Sequence, residues 1–344
     1  MKNIGIGFFV LVVGIVVGIF VGIFITKDKE VPIEKKIVDI IERPLEKYTF
    51  ENLRKTQFPP NKITLGEVID ESETHISQMF YFNVISEKKT KKVSGLINIP
   101  KDEGVYPAIV MFRGFVPIEI YETGVGTKRG GQIFAENGFI TLAPDFLGYG
   151  ESDNPSEDVM EERFQTYITA LSLFSSLESL NTELSASYSG ITADTEKVGI
   201  WAHSNGGQIA LSTLEITGRN YPTVLWAPVS KPFPYSILYY TDEFEDHGKK
   251  LRKVVANFED IYDIEQYSPT NFYSWINAPM QIHQGVEDDA VPQKWSSQLV
   301  EDLKGLGRDV TYFAYPNADH NLMPDGWDKA IENSTIFYKE HFEE

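Results

Sequence analysis

The chain has 344 residues, a hydrophobic fraction of 42%, a charged fraction of 24% and a formal net charge of −19. That length accommodates one large α/β domain, and the ordinary apolar content excludes a disordered or fibrous chain. The acidic balance argues against nucleic acid as a partner, because neutralising phosphates requires clustered Lys and Arg. The complete absence of cysteine excludes disulfides, thiolate metal sites and a cysteine nucleophile.

The first element is an uncharged run from Ile4 to Ile25, rich in Ile, Val, Phe and Gly and flanked by Lys2 and by Lys27-Asp28-Lys29-Glu30. As a helix it would reach roughly 33 Å at about 1.5 Å per residue, enough to cross a hydrocarbon layer of about 30 Å. A cleavable signal peptide has a shorter apolar region and a small-residue cleavage site, so residues 1–26 are expected to be a retained single-pass transmembrane helix. Gly14, Gly18 and Gly22 recur every four residues on one face, where two helices could approach in a homodimer. Residues 27–60 are charged, lack clear periodicity and end in Phe58-Pro59-Pro60, which predicts a stalk or linker before a domain over residues 61–344.

Residues 63–99 hold three strand-like runs, including Ile76–Ile85 and Val93–Ile99, and predict an antiparallel start to a sheet. Beyond them the pattern becomes buried strand, turn and helix in repetition, as in a mostly parallel sheet covered on both faces. The expected strands are Ala108–Phe112, Phe139–Ala143, Val198–Ala202, Val224–Ala227, Met280–His283 and Val310–Tyr315. Helical periodicity is clear over Val159–Leu177 and over Trp327–Phe342. The interval from about residue 228 to 278 is too long for a simple crossover and predicts an inserted cap. Its Phe233, Tyr235, Tyr239, Tyr240 and Phe244 either line a substrate pocket or pack on the domain.

The segment Val198-Gly199-Ile200-Trp201-Ala202-His203-Ser204-Asn205-Gly206-Gly207 carries the chemistry. It reads strand, sharp turn, helix, the context of a nucleophile elbow, where the serine occupies strained backbone and small neighbours allow close approach. Ala202 stands where the usual pattern has its first glycine and stays small. A serine hydroxyl needs a base, and the fold's order of nucleophile, carboxylate and histidine is available. Acidic residues 287–289 follow the strand Met280–His283, and His320 follows the strand Val310–Tyr315, both at strand carboxyl ends. Asn205, next after the nucleophile, is placed to donate one oxyanion-hole N–H. His203 and His283 lie inside strand ends and read as structural. No pair of histidines has a metal-ligand spacing, so no metal or other cofactor is expected.

These motifs, together with Arg113-Gly114-Phe115 and Leu142-Ala143-Pro144-Asp145-Phe146-Leu147-Gly148-Tyr149-Gly150-Glu151-Ser152, give residues 90–342 a resemblance to the α/β-hydrolases. The likeness is to the prolyl oligopeptidase-like branch, which is also similar to dienelactone hydrolase and acyl-peptidase domains. The resemblance implies that the catalytic acid is Asp288, with Glu287 and Asp289 as neighbours, and that Phe115 supplies the second oxyanion N–H. Arg113 stands where a histidine is usual. It further implies a serine-type peptidase, yet residues 27–90 have no room for the β-propeller of full-length prolyl oligopeptidases. A carboxylesterase acting on small esters therefore stays open, as does a catalytically inactive hydrolase-fold binding module. The lysines after the apolar run favour a cytoplasmic domain by the positive-inside rule. The limited use of a tether to an enzyme inside the cell favours the extracytoplasmic side, which is the expectation.

Overall fold

The computed structural model describes residues 42–343. The apolar run Ile4–Ile25 and its glycine face lie outside the described residues, and among those residues no helix is long and apolar enough to cross a membrane. The strands are β1 (Thr64–Glu71), β2 (His75–Ser86), β3 (Lys89–Pro100), β4 (Gly104–Phe112), β5 (Ile140–Pro144), β6 (Ile191–His203), β7 (Thr223–Trp226), β8 (Met280–Gly285) and β9 (Val310–Tyr315). They form one sheet in the order β1-β2-β3-β5-β4-β6-β7-β8-β9. Pairing is antiparallel from β1 to β5 and parallel from β5 onward. The helices are α1 (Phe50–Lys55), α2 (Lys128–Glu136), α3 (Val159–Ser176), α4 (Leu180–Ser187), α5 (Asn205–Thr217), α6 (Tyr235–Leu238), α7 (Lys249–Glu259), α8 (Gln293–Gly305) and α9 (Trp327–Glu343).

Alternation along the central strands divides the core between the two faces. Ala108, Val110 and Phe112 of β4 join the cluster that includes Phe50, Phe164 and Leu211, while Ile109 and Met111 join Phe134, Trp201, Tyr338 and Phe342. The same period in β6 sends Ile200 and Ala202 to the first face and Trp201 to the second. The expected strands all occur. Sequence periodicity missed the leading half of β6, where Ile191–Asp194 pair with Gly104–Pro107 across a register shift.

The predicted stalk is too long. Leu45, Tyr48, Phe50 and Leu53 are buried in the main core, and Phe50 stacks on Phe272 with ring centroids 4.8 Å apart. The Thr49 hydroxyl caps α1 by accepting from the Asn52 N–H at 3.3 Å. A helix of six residues cannot hold itself in water, so burial against the domain stabilises it. Four apolar residues scattered among charges give no helical stripe, which is why the sequence read as a linker there.

The insertion between β7 and β8 is present, with α6, α7 and several short turns. Most of its aromatics pack on the domain. Phe233, Phe258 and Tyr267 surround Phe164 of α3 at 5.1–5.9 Å, and Tyr235, Tyr239 and Tyr240 gather around Trp295 of α8. Replacing Phe50 with alanine should lower unfolding free energy by about 3–5 kcal/mol, the usual cost of emptying a buried aromatic site. Urea denaturation measures it, and an unchanged midpoint would show that residues 43–58 are not part of the cooperative core.

Candidate active site

The loops that follow β4, β6, β8 and β9 meet at the carboxyl edge of the parallel strands. Ser204 lies between β6 and α5 with φ 55° and ψ −121°, a positive φ that a non-glycine residue adopts only when its surroundings enforce it. The surroundings here do enforce it. The Ser204 N–H donates to the Trp226 carbonyl at 3.0 Å, and the Ser204 carbonyl accepts from Gly207 and Val229 N–H groups, both at 2.9 Å. A Cβ at Gly206 would lie 2.2 Å from the Phe112 carbonyl oxygen, and one at Gly207 would lie 2.5 Å from Pro228. No other residue type fits the turn at that packing distance.

Asp288 is buried while its neighbours Glu287 and Asp289 are exposed. Its Oδ1 accepts from the Ala290 N–H at 2.9 Å and the Val291 N–H at 2.8 Å, and its Oδ2 accepts from Gln284 Nε2 and His320 Nδ1, each at 2.9 Å. Burial pushes the carboxyl pKa up. The hydrogen bond and charge of His320, with the Val291 N–H and Gln284, outweigh it and hold Asp288 below the usual carboxylate range. A carboxylate can only accept, so His320 carries its proton on Nδ1 and presents the Nε2 lone pair outward.

His320 is held from a second side. The Asp319 carboxylate accepts from the Asn321 and Met323 N–H groups and shapes the turn, and His203 Nε2–H donates to the His320 carbonyl at 2.9 Å. The two imidazoles lie 4.6 Å apart. Burial, and next the nearby His320, depress His203 to about 4, so it stays neutral near pH 7. Ser204 Oγ makes no hydrogen bond to His320 among the described residues. Catalytic contacts of this kind are often long before substrate binds.

The loop after β4 covers the serine. A Cβ at Gly114 would stand 3.0 Å from Ser204 Cβ and 3.5 Å from its Oγ, so the Gly114 backbone sits directly over Ser204. The Phe115 side chain is 73% exposed, and among the described residues neither the Phe115 N–H nor the Asn205 N–H donates to another protein group. Asn205 opens α5, where the first N–H groups have no partner in the helix.

Arg113 fills the place of the expected histidine in a different way. Its guanidinium lies between the Tyr121 and Tyr149 rings, 4.4 and 4.1 Å from their centroids, and donates to the Gly114 carbonyl at 2.9 Å and the Asp145 carbonyl at 3.0 Å. The Asp145 carboxylate below it accepts from Ser94, Tyr121 and Thr123 hydroxyls. The buried scaffold could not be found from sequence, since it depends on pairs far apart in the chain, and the Gln284 contact to Asp288, though it spans only four residues, belongs to no local motif.

The prolyl oligopeptidase family pattern matches residues 180–344 and the chlorophyllase pattern matches residues 67–220. The uncharacterized peptidase YtmA of Bacillus subtilis is 26% identical over 254 residues, covering 72% of this chain and 89% of the relative. The chain is a serine hydrolase with an α/β-hydrolase-like fold. This hydrolase superposes on an acetyl xylan esterase from Paenibacillus sp. R4 with a TM-score of 0.57 and 13% identity, covering 87% of this chain and 95% of the other. It superposes on a puromycin-hydrolyzing peptidase of Mycobacterium tuberculosis with a TM-score of 0.54 and 15% identity, covering 77% of this chain and 39% of the other. At those identities the likeness is one of fold.

The hydrolase also buries a histidine away from the site. His283 Nε2–H donates to Gln281 Oε1 at 2.7 Å and Nδ1 accepts from the Tyr315 hydroxyl at 2.8 Å, while burial lowers its pKa from the usual 6.5 to about 3. Below about 6.5 the unfolded chain binds a proton that the folded protein refuses until about 3. The stabilisation from a neutral His283 is thus complete above 6.5 and lost as pH falls through that window, at up to about 1.4 kcal/mol per pH unit. Glu215, fully buried with neither carboxyl oxygen bonded, is pushed upward by burial and acts in the opposite sense as pH rises. The test is therefore a difference. The stability advantage of wild type over His283→Asn, measured by denaturant titration, should shrink from pH 6.5 to 4, and a constant advantage would contradict the assignment.

Proposed function

We propose that this protein is a membrane-anchored serine hydrolase that cleaves peptide or ester bonds through an acyl-enzyme. Ser204 is the nucleophile, His320 the general base and Asp288 the residue that orients it. The observation that carries this reading is the Asp288–His320 pair at 2.9 Å, with every remaining Asp288 lone-pair direction bonded, beside a serine held at φ 55°. With Nδ1–H committed to Asp288, His320 Nε2 is left to take the Ser204 proton as Oγ attacks the carbonyl carbon. The imidazolium then returns that proton to the leaving group, and water repeats the sequence to free the acyl group.

Charge on the carbonyl oxygen in the tetrahedral intermediate falls to the N–H groups of Asn205 and Phe115. Arg113 supports this role indirectly. In a trans peptide the carbonyl and the following N–H point in opposite directions, so the guanidinium that holds the Gly114 oxygen also directs the Phe115 N–H away from itself. Arg113 is thus a positioning residue. The match to the prolyl oligopeptidase family and to a curated peptidase supports peptide bonds as substrates. A cavity of about 240 Å³ beside Asn205 and Phe115 favours a second reading, a carboxylesterase for small acyl groups. The uncharged run Ile4–Ile25 supports single-pass anchoring, and the limited use of a tether to an enzyme inside the cell favours the extracytoplasmic side.

A fluorophosphonate probe should label the full chain in the membrane fraction, and Ser204→Ala should abolish both labelling and turnover of p-nitrophenyl esters. A folded wild type that takes no label would leave a binding module instead, and a labelled full-length band in the soluble fraction would remove the anchor. Arg113→Lys should lower kcat by about 10- to 100-fold with a smaller change in KM, approaching the loss of one oxyanion donor. Unchanged kcat would mean that the guanidinium does not position the Phe115 amide.

A further inference from the structure

The cavity beside the oxyanion residues carries polar groups that neither the fold nor the proposed chemistry uses. One wall is a face of α3, on which Val159, Glu162, Arg163, Thr166 and Tyr167 recur at helical spacing. The lining also includes Asn205, Gln208 and Ile209 at the start of α5, Phe146 and Leu147, and Leu251 of the insertion. Arg163 is half-buried there, and among the described residues its guanidinium makes no hydrogen bond and no ion pair. Gln208 is 3% exposed, yet its side-chain amide likewise bonds to no protein group. Arg113, the other cation in the cavity, is committed to the Gly114 and Asp145 carbonyls.

An unpaired guanidinium against apolar walls is costly to desolvate, and the cost is recovered when a carboxylate meets its fork of donors. Gln208, one turn into α5, can add a donor to the same oxygen pair. Glu162 sits on the same face at the exposed rim and repels a second negative charge, which favours a monoanion over a phosphate dianion. The position relative to the chemistry fixes which half of the substrate is meant. His320 must hand its proton to the leaving group, and the cavity touches the oxyanion residues but not His320 or Asp288, so it receives the acyl half.

We propose that the enzyme prefers substrates whose acyl group ends in a carboxylate, which Arg163 and Gln208 bind in this cavity. The class comprises half-esters or monoamides of short dicarboxylic acids, and in a peptide an acidic residue on the acyl side of the cleaved bond. This assignment rests on the serine hydrolase reading. Its volume of about 240 Å³ suits a chain of a few carbons with a terminal carboxylate.

The test uses the full chain in detergent with mono-p-nitrophenyl adipate and its neutral match, p-nitrophenyl methyl adipate. Wild type should favour the acid by about tenfold in kcat/KM, a ratio expected for one charged, bidentate contact. Arg163→Gln should remove the preference, Arg163→Lys should keep part of it, and Glu162→Gln should raise it. Should Arg163→Gln fail to fold, the Glu162→Gln and Arg163→Lys ratios decide. Equal turnover of the two esters by wild type, or an unchanged ratio in the Arg163 variants, overturns the subsite while leaving the hydrolase reading intact. If folded wild type hydrolyses neither ester and takes no fluorophosphonate label, the hydrolase reading falls and the subsite with it.

Discussion

The turn at Ser204 and the end of β4 are packed backbone against backbone, and the geometry of the site depends on that contact. The Phe112 carbonyl occupies the space where any side chain at Gly206 would go, and the Gly114 backbone closes over the serine itself. Two neighbouring parallel strands therefore deliver Ser204 and the covering loop at van der Waals distance. A positive φ at Ser204 is the strain this packing enforces, and three backbone hydrogen bonds hold it in place.

Electrostatics at the same edge is arranged by satisfaction rather than by exposure. Asp288 stays ionised in a buried setting because four donors converge on its two oxygens. His203 and His283 are kept neutral by burial, so His320 is the imidazole left with an outward-facing lone pair at the centre of the site. The single cation of the covering loop, Arg113, is screened from solvent by two tyrosine rings and gives its two terminal nitrogens to carbonyls, which holds the loop beside Ser204.

How much of this could be read in the sequence depended on how local each signal is. The Ser204 elbow is a contiguous pattern of strand, small residues and helix, and it was legible in full. Asp288 needed family resemblance to be separated from Asp289, because three adjacent acids look alike until the fold buries the middle one. The insertion was legible as excess length between two strands, whereas the fate of its aromatics depended on Phe164 and Trp295, which lie far away in the chain. Residues 43–58 misled for the opposite reason. Their few apolar positions bind a core assembled from elsewhere, so no period of their own announces it. Arg113, Gln208 and Arg163 gave no signal beyond composition, since what distinguishes them is which partners they have or lack.

One hydrogen bond carries a mechanical consequence. His203 precedes Ser204 on β6, and its ring grips the main chain of His320 on the far loop. Between the two strands that bear these residues lie β7 and β8, so thermal breathing of the sheet would ordinarily let them drift apart. The imidazole acts as a crosspiece spanning that gap. Ser204 and His320 then travel as one body when the sheet flexes, and their mutual alignment is insulated from motions that the rest of the edge can tolerate.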